Sequence, residues 1–132
     1  MAMKVLIVED EVMAQKSLIR TIEQNFPDMK IVGTAGSVKS AVAWLQDPAN
    51  SVDVIFMDVE LSDGECFEIF RQCDVKANVI MTTAYDSYAI KAFEAGSIDY
   101  LLKPVDVAAL KRAVARCRMN RSTVDMEPSS GP

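Results

Sequence analysis

Residues 4–11, KVLIVEDE, join a short aliphatic run to three consecutive acids, Glu9, Asp10 and Glu11. A brief run of β-branched and aliphatic residues that ends in charges is typical of a strand buried in a parallel sheet. The carboxyl ends of such strands are where α/β folds place their chemistry, so the acids are candidates for a functional site. The segment therefore predicts the class of fold and the edge of the sheet where function lies.

The same arrangement of a strand followed by a helix repeats along the chain. Apolar residues three to four positions apart predict helices that begin near residues 12, 38, 66, 87 and 106. Short apolar runs between them predict strands at residues 30–35, 52–57, 78–82 and 99–102. Because parallel strands need helical, right-handed crossovers, we expect an α/β fold with a doubly wound five-stranded parallel sheet. The order 2-1-3-4-5, which is the flavodoxin-like order, fits this pattern.

Composition limits the kind of protein. Of the 132 residues, 50% are hydrophobic and 25% are charged, which suits one soluble domain with a real core. The net charge of −5 argues against nucleic-acid binding by this segment, which would need a basic face. No apolar run approaches the roughly 20 residues of a membrane span, and the N-terminal residues lack a signal-peptide layout, so we expect no membrane association.

The chain has three cysteines, Cys66, Cys73 and Cys117, and no histidine. An odd number of thiols without metal-ligand spacing indicates reduced packing residues in a cytoplasmic protein. From residue 120 onward the periodic pattern ends. We therefore assign residues 1–119 to one domain and residues 120–132 to a linker or an artificial tail.

Polar side chains follow the predicted strands at the same edge of the sheet. Glu9 and Asp10 follow the first strand and Asp58 follows the third, and these strands are neighbours in the expected order. Close carboxylates repel each other unless a cation is present, and oxygen ligands favour Mg²⁺. A carboxylate left free of the metal can act as a nucleophile toward phosphorus. Lys103 could neutralise the transferred oxygens, and Thr83 could donate a hydroxyl hydrogen bond to them.

Four longer segments carry a resemblance to a known family. They are KVLIVEDE, VIFMDVELSDG, VIMTTAYDSYAIKAFEAG and SIDYLLKPV, at residues 4–11, 54–64, 79–96 and 97–105. The chain resembles the receiver domain of two-component response regulators over roughly residues 3–119. The phrase at residues 85–105 is similar to receivers joined to a LytTR (LytR/AlgR) type of DNA-binding domain, which implies a longer parent protein.

The resemblance implies roles for the acids. Asp58 matches the phosphoacceptor. Glu9 and Asp10 match the acidic pair that holds Mg²⁺, with Asp10 the more direct ligand and Glu9 acting through water. Glu60 matches the position whose backbone carbonyl completes the metal site.

The resemblance also implies roles for three residues on the later strands. Thr83 matches the switch hydroxyl, Tyr100 matches the aromatic residue that changes rotamer with it, and Lys103 matches the phosphate-binding lysine. The Lys103-Pro104 bond would be cis. One residue departs from the pattern, because Ser62 stands where many receivers have proline, and a more flexible loop is the expected consequence.

These matches imply a signalling switch that takes a phosphoryl group from a sensor histidine kinase and is not an enzyme beyond its own phosphoryl transfer and autodephosphorylation. Phosphorylation is expected to produce a homodimer through the fourth helix, fifth strand and fifth helix, and to control transcription. DNA would be bound only by a separate output domain.

Two other classes stay open. A phosphohydrolase of the haloacid dehalogenase type would also use Asp58 as a nucleophile, but it would carry a second aspartate where Glu60 stands. A pseudo-receiver would bind partners without phosphorylation. Glu11 fits an ordinary solvated loop charge.

Overall fold

The structure is a computed structural model that describes residues 2–130, with side chains described as far as residue 120. The five main strands are β1 (Met3–Val8), β2 (Met29–Ala35), β3 (Val54–Asp58), β4 (Asn78–Thr83) and β5 (Asp99–Leu102). The helices are α1 (Val12–Asn25), α2 (Val38–Gln46), α3 (Phe67–Gln72), α4 (Ala89–Glu94) and α5 (Val107–Ser130).

The five strands form one parallel sheet in the order β2-β1-β3-β4-β5. The predicted order is therefore confirmed, with β1 at the switch point between the two directions of winding. In the register, Val8 lies beside Met57 and Asp58 beside Thr82. The strands thus end at a common edge, and the residues that follow them are brought together there.

Helices cover both faces of the sheet, as a doubly wound fold requires. Residues of α2, α3 and α4 pack on one face and residues of α1 and α5 on the other. Successive residues of a strand point to opposite faces, so that Leu6 packs in the core under α2, α3 and α4 and Val5 packs in the core under α1 and α5. Both faces of the central strands are apolar, which explains why their sequences read as continuous hydrophobic runs.

The start of α2 follows a local sequence signal, whereas α3, α4 and α5 differ from what the sequence pattern predicts. Ser37 caps α2, since its side chain accepts the Ser40 N–H. Gly96 ends the region of α4 with a φ of 87°, a conformation that favours glycine. However, α4 starts only at Ala89, because a turn of 3₁₀ helix, Asp86–Tyr88, precedes it.

Helix α3 is short, with only 6 residues. Cys66 and Cys73 flank the helix, with Cys66 buried and Cys73 half-buried, and both pack against the same core, as predicted for packing residues. The residues before it include two short antiparallel strands, Glu60–Leu61 and Gly64–Glu65. Ser62 and Asp63 form the tip of this hairpin.

Helix α5 continues to Ser130, beyond the point where the sequence pattern ends. The assignment of residues 120–132 to a linker or tail stays a prediction, and residues 131 and 132 lie outside the described residues. Among the helices that the structure describes, none combines the length and the apolar character needed to cross a bilayer.

Candidate functional site

Three carboxylates meet at the edge of the sheet. Glu9 and Asp10 follow β1, Asp58 ends β3, and one oxygen of each lies within 4.8 Å of the others. Glu9 and Asp58 are buried, with 5% and 6% of their surface exposed, whereas Asp10 is exposed. The three acids lie together, as predicted, because β1 and β3 pair in parallel and end at the same edge of the sheet.

Lys103 reaches the same place from the end of β5. Its ammonium group donates to Glu9 Oε1 at 2.6 Å and to Asp58 Oδ2 at 3.1 Å. The peptide bond to Pro104 is cis, as predicted. The backbone N–H of Lys103 also donates to the carbonyl of Thr83 at 2.7 Å, so the lysine is held by the main chain as well.

Burial and charge set the proton affinity of these groups. Burial, helped by the nearby charge of Glu9, raises the pKa of Asp58 to about 6, against the opposing effect of Lys103. Burial also acts to raise the pKa of Glu9, but hydrogen bonds from Lys103 and the Glu11 N–H outweigh it and the pKa is lowered. Repulsion between the acids is thus only partly relieved by one lysine.

The donor set fits a divalent cation. All the donors offered are carboxylate oxygens, and the pKa of Asp10 is raised by burial and by its contact with Glu9. Mg²⁺ is commonly held by one or two protein carboxylates while it keeps several waters, and exposed Asp10 leaves room for them. Glu60 lies at the edge of the cluster, where its N–H donates to Asp58 Oδ1 at 3.3 Å.

The two predicted switch residues are joined through one peptide segment. Thr83 is buried at the end of β4, and its hydroxyl oxygen accepts the N–H of Tyr85 at 3.2 Å. The hydroxyl of Tyr100 donates to the carbonyl of Tyr85. The backbone of Tyr85 is therefore held at both its polar groups, once by each switch residue.

A set of contacts between α4 and the loop after β3 was not anticipated from the sequence. The Tyr88 hydroxyl donates to Glu60 Oε2 at 3.1 Å. Lys91 Nζ donates to Glu65 Oε1 at 3.1 Å and lies 4.9 Å from the ring centre of Phe67. Within the chain, Tyr88 and Lys91 therefore fasten α4 to the loop after β3. Nothing in their local spacing signals these long-range partners.

The geometry can be compared with known proteins. The family model for the response regulator receiver domain matches residues 5–115 of this chain. The chain therefore belongs to the response regulator receiver domain family, a family of signalling domains.

Curated relatives point to the same family. The chain is 37% identical over 125 residues to the transcriptional regulatory protein BtsR of Escherichia coli (strain K12), covering 93% of this chain and 51% of BtsR. It is 33% identical over 129 residues to the sensory transduction protein LytT of Bacillus anthracis, covering 95% of this chain and 51% of LytT. The chain thus spans about half the length of these relatives.

Solved structures share the fold. The REC domain of AraT, a response regulator from Geobacillus stearothermophilus, has a TM-score of 0.78 at 29% identity and covers 95% of this chain and 99% of its own. The response regulatory domain of mrkE from Klebsiella pneumoniae has a TM-score of 0.74 at 30% identity, and the match covers 95% of this chain and 100% of the mrkE domain.

Proposed function

We propose that this chain is the phosphoacceptor switch of a two-component system, in which Asp58 takes a phosphoryl group from a sensor histidine kinase. The observation that carries the proposal is the position of Asp58, buried beside Glu9 and Asp10 and in contact with the ammonium group of Lys103. A nucleophile, a set of oxygen ligands and a fixed cation are the parts that phosphoryl transfer needs.

The reaction makes one bond to phosphorus and breaks one. An oxygen of Asp58 attacks the phosphorus, and the bond from phosphorus to the imidazole nitrogen of the kinase breaks with the electron pair going to that nitrogen. Lys103 stabilises negative charge on the transferred oxygens, and the Thr83 hydroxyl donates a hydrogen bond to them.

Mg²⁺ would be held by Asp10 and Asp58, by Glu9 through water and by the carbonyl of Glu60. When bound, it supplies positive charge that offsets the charges of the phosphoryl group and the acids.

The two alternative classes have less support. In a phosphohydrolase of the haloacid dehalogenase type the residue two positions after the nucleophile acts as a general acid, but here the carboxylate of Glu60 accepts the Tyr88 hydroxyl. A pseudo-receiver does not bind a phosphoryl group, so that class gives no reason for the three acids and Lys103 to lie together. Turnover of a small phosphate ester would favour the first class, and no response to acetyl phosphate would favour the second.

The output is proposed to be transcriptional. BtsR is a transcriptional regulatory protein and LytT a sensory transduction protein, and both are about twice as long as this chain. We propose that this domain acts with a LytTR-type DNA-binding domain in its parent protein, and that the sensor kinase and a second copy of the chain are its other partners. The exposed apolar side chains of Ile90 and Phe93 on α4 supply a contact surface for that second copy.

Phosphorylation with acetyl phosphate and Mg²⁺ tests the proposal. The protein should gain one acid- and base-labile phosphoryl group, Asp58→Asn should gain none, and Asp74→Asn, a change at an exposed acid, should behave as wild type. Asp10→Ala should lose most of the Mg²⁺ affinity measured by calorimetry. Equal labelling of Asp58→Asn and wild type would show that the acceptor is another residue.

A further inference from the structure

The hairpin that follows the phosphoacceptor is fastened at its tip to the start of α2. Asp63 accepts the N–H groups of Val38 and Lys39 at 2.6 and 3.0 Å, one with each carboxylate oxygen. Those two bonds lower the pKa of Asp63, with the Lys39 N–H the larger cause. The carboxylate therefore binds the first turn of α2 across 24 or more positions of sequence.

The N-terminus of α2 thus has two separate caps. The first N–H groups of a helix have no partner within it. Here Asp63 accepts two of them, and Ser37, the N-cap residue, accepts the third from Ser40 at 3.0 Å. Ser37 already caps the helix. The two hydrogen bonds of Asp63 therefore have a second effect, which is to hold the tip of the hairpin against α2.

The hairpin connects the residue held at its tip, Asp63, to the cluster of acids. Its strands pair Glu60 with Glu65 and Leu61 with Gly64, and the buried side chain of Leu61 packs in the core. At its first residue the N–H of Glu60 donates to Asp58 Oδ1 at 3.3 Å. Because the hairpin is short and is held at its tip, it limits the positions open to the Glu60 N–H that donates to Asp58.

We propose that Asp63 is a positioning residue, which clamps the hairpin to α2 and so holds Asp58 in its place among the acids. The role rests on the proposed function, because it matters only if Asp58 binds Mg²⁺ and accepts the phosphoryl group. It also accounts for Ser62, since a loop held by Asp63 does not need a rigid proline there.

Asp63→Ala and Ser37→Ala form a matched pair that tests the clamp. Both remove a cap from the same end of α2 and should lower the melting temperature, but only Asp63→Ala frees the hairpin. Removing a residue that positions a metal ligand typically weakens binding about 10- to 100-fold, so Asp63→Ala should raise the dissociation constant for Mg²⁺ by about tenfold. Ser37→Ala should stay within about twofold of wild type.

Amide hydrogen exchange provides a readout that does not depend on metal or phosphate. Peptides covering residues 59–66 should exchange faster in Asp63→Ala and at the wild-type rate in Ser37→Ala. Asp63→Asn keeps one acceptor oxygen and should lie between Asp63→Ala and wild type in both experiments. Circular dichroism at the titration temperature checks that each variant is folded.

The outcomes separate the clamp from the proposed function. Equal weakening of Mg²⁺ binding by Asp63→Ala and Ser37→Ala would show that Asp63 is only a helix cap. Wild-type Mg²⁺ affinity in Asp63→Ala, or unchanged exchange at residues 59–66, would also overturn the clamp while leaving the proposed function intact. Failure of the wild-type protein to bind Mg²⁺ would instead overturn the proposed function, and the positioning role with it.

Discussion

Tyr88 donates a hydrogen bond of 3.1 Å from its hydroxyl to a carboxylate oxygen of Glu60. Glu60 stands two positions after Asp58, and Tyr88 leads directly into α4. The loop after β3 is thus in contact with the start of α4 without the involvement of Thr83 or Tyr100. If phosphorylation moves this loop, the hydrogen bond between Glu60 and Tyr88 would transmit the movement to α4.

The Tyr88–Glu60 contact predicts an unusual phenol titration. The hydrogen bond to Glu60, followed by burial and the charge of the same carboxylate, raises the pKa of Tyr88 to about 12. A raised folded-state pKa means that the contact stabilises the fold below the ordinary tyrosine pKa and that this stability is lost as the pH rises through about 12. Glu60→Gln should move the pKa of Tyr88 down toward its ordinary value, as followed by phenolate absorbance with Tyr88→Phe as the reference. An unchanged titration in Glu60→Gln would contradict the contact.

Lys103 should act on metal binding and on phosphoryl transfer in opposite directions. Its ammonium group contacts Glu9 and Asp58, two of the carboxylates proposed to serve Mg²⁺, so Lys103→Met should bind Mg²⁺ more tightly than wild type. The same change removes a charge aimed at the transferred oxygens and should slow phosphorylation by about 100-fold or more. Calorimetry and labelling with acetyl phosphate measure the two effects, and exposed Lys76→Met is the control. Weaker Mg²⁺ binding in Lys103→Met would show that the lysine does not compete for these oxygens.

The fold and the grouping of the acids could be predicted because they depend on local patterns. Buried parallel strands read as apolar runs, and residues such as Glu9 and Asp58 mark where they end. The partners of Asp63 and Tyr88 could not be predicted, since they lie on elements whose packing the local sequence does not specify. Gly33 shows the same limit: a side chain there would place its first carbon 2.5 Å from the indole nitrogen of Trp44, a contact visible only in the folded chain.

Thiol reactivity should follow burial. Cys66 and Cys117 are fully buried, and burial raises the pKa of each thiol to about 12. Because the thiolate is the reactive form, only half-buried Cys73 should react with Ellman's reagent in the native protein. All three should react after unfolding, and Cys73→Ser should remove the native signal. Rapid labelling of two or more thiols in the folded protein would show that the helices cover the cores less well than the structure indicates.

The ion pair of Asp28 with Arg118 should make stability depend on pH in the acid range. Arg118 donates to both oxygens of Asp28 at 2.6 and 2.9 Å, and these bonds hold the pKa of Asp28 below its ordinary value. A lowered pKa contributes stability above the unfolded-state value of about 4, and the contribution is lost as the pH falls through the lowered value. Asp28→Asn should cost less than about 1 kcal/mol near neutral pH, because the pair is partly exposed, and nothing at low pH. Urea unfolding at several pH values measures the difference, and a constant difference at every pH would contradict the ion pair.

Self-association on activation should depend on the apolar side chains of α4. Ile90 and Phe93 are 74% and 82% exposed and lie three positions apart, on one side of the helix. Two charged residues of this surface are already paired within the chain, Lys91 with Glu65 and Asp99 with Arg112. We therefore expect the symmetric contact to use the apolar surface that both copies present.

Sedimentation with and without beryllofluoride decides this last point. Coupling of about 1–3 kcal/mol between the site and the surface predicts dimer affinity that rises roughly 5- to 150-fold on activation. Phe93→Asp should abolish the rise, because it would bury a charge on each side of the two-fold axis. Met13→Asp, at a similarly exposed apolar residue of α1, should leave it unchanged. If the activated protein stays monomeric at high concentration, or if Met13→Asp rather than Phe93→Asp prevents dimerisation, α4 is not the surface through which the copies meet.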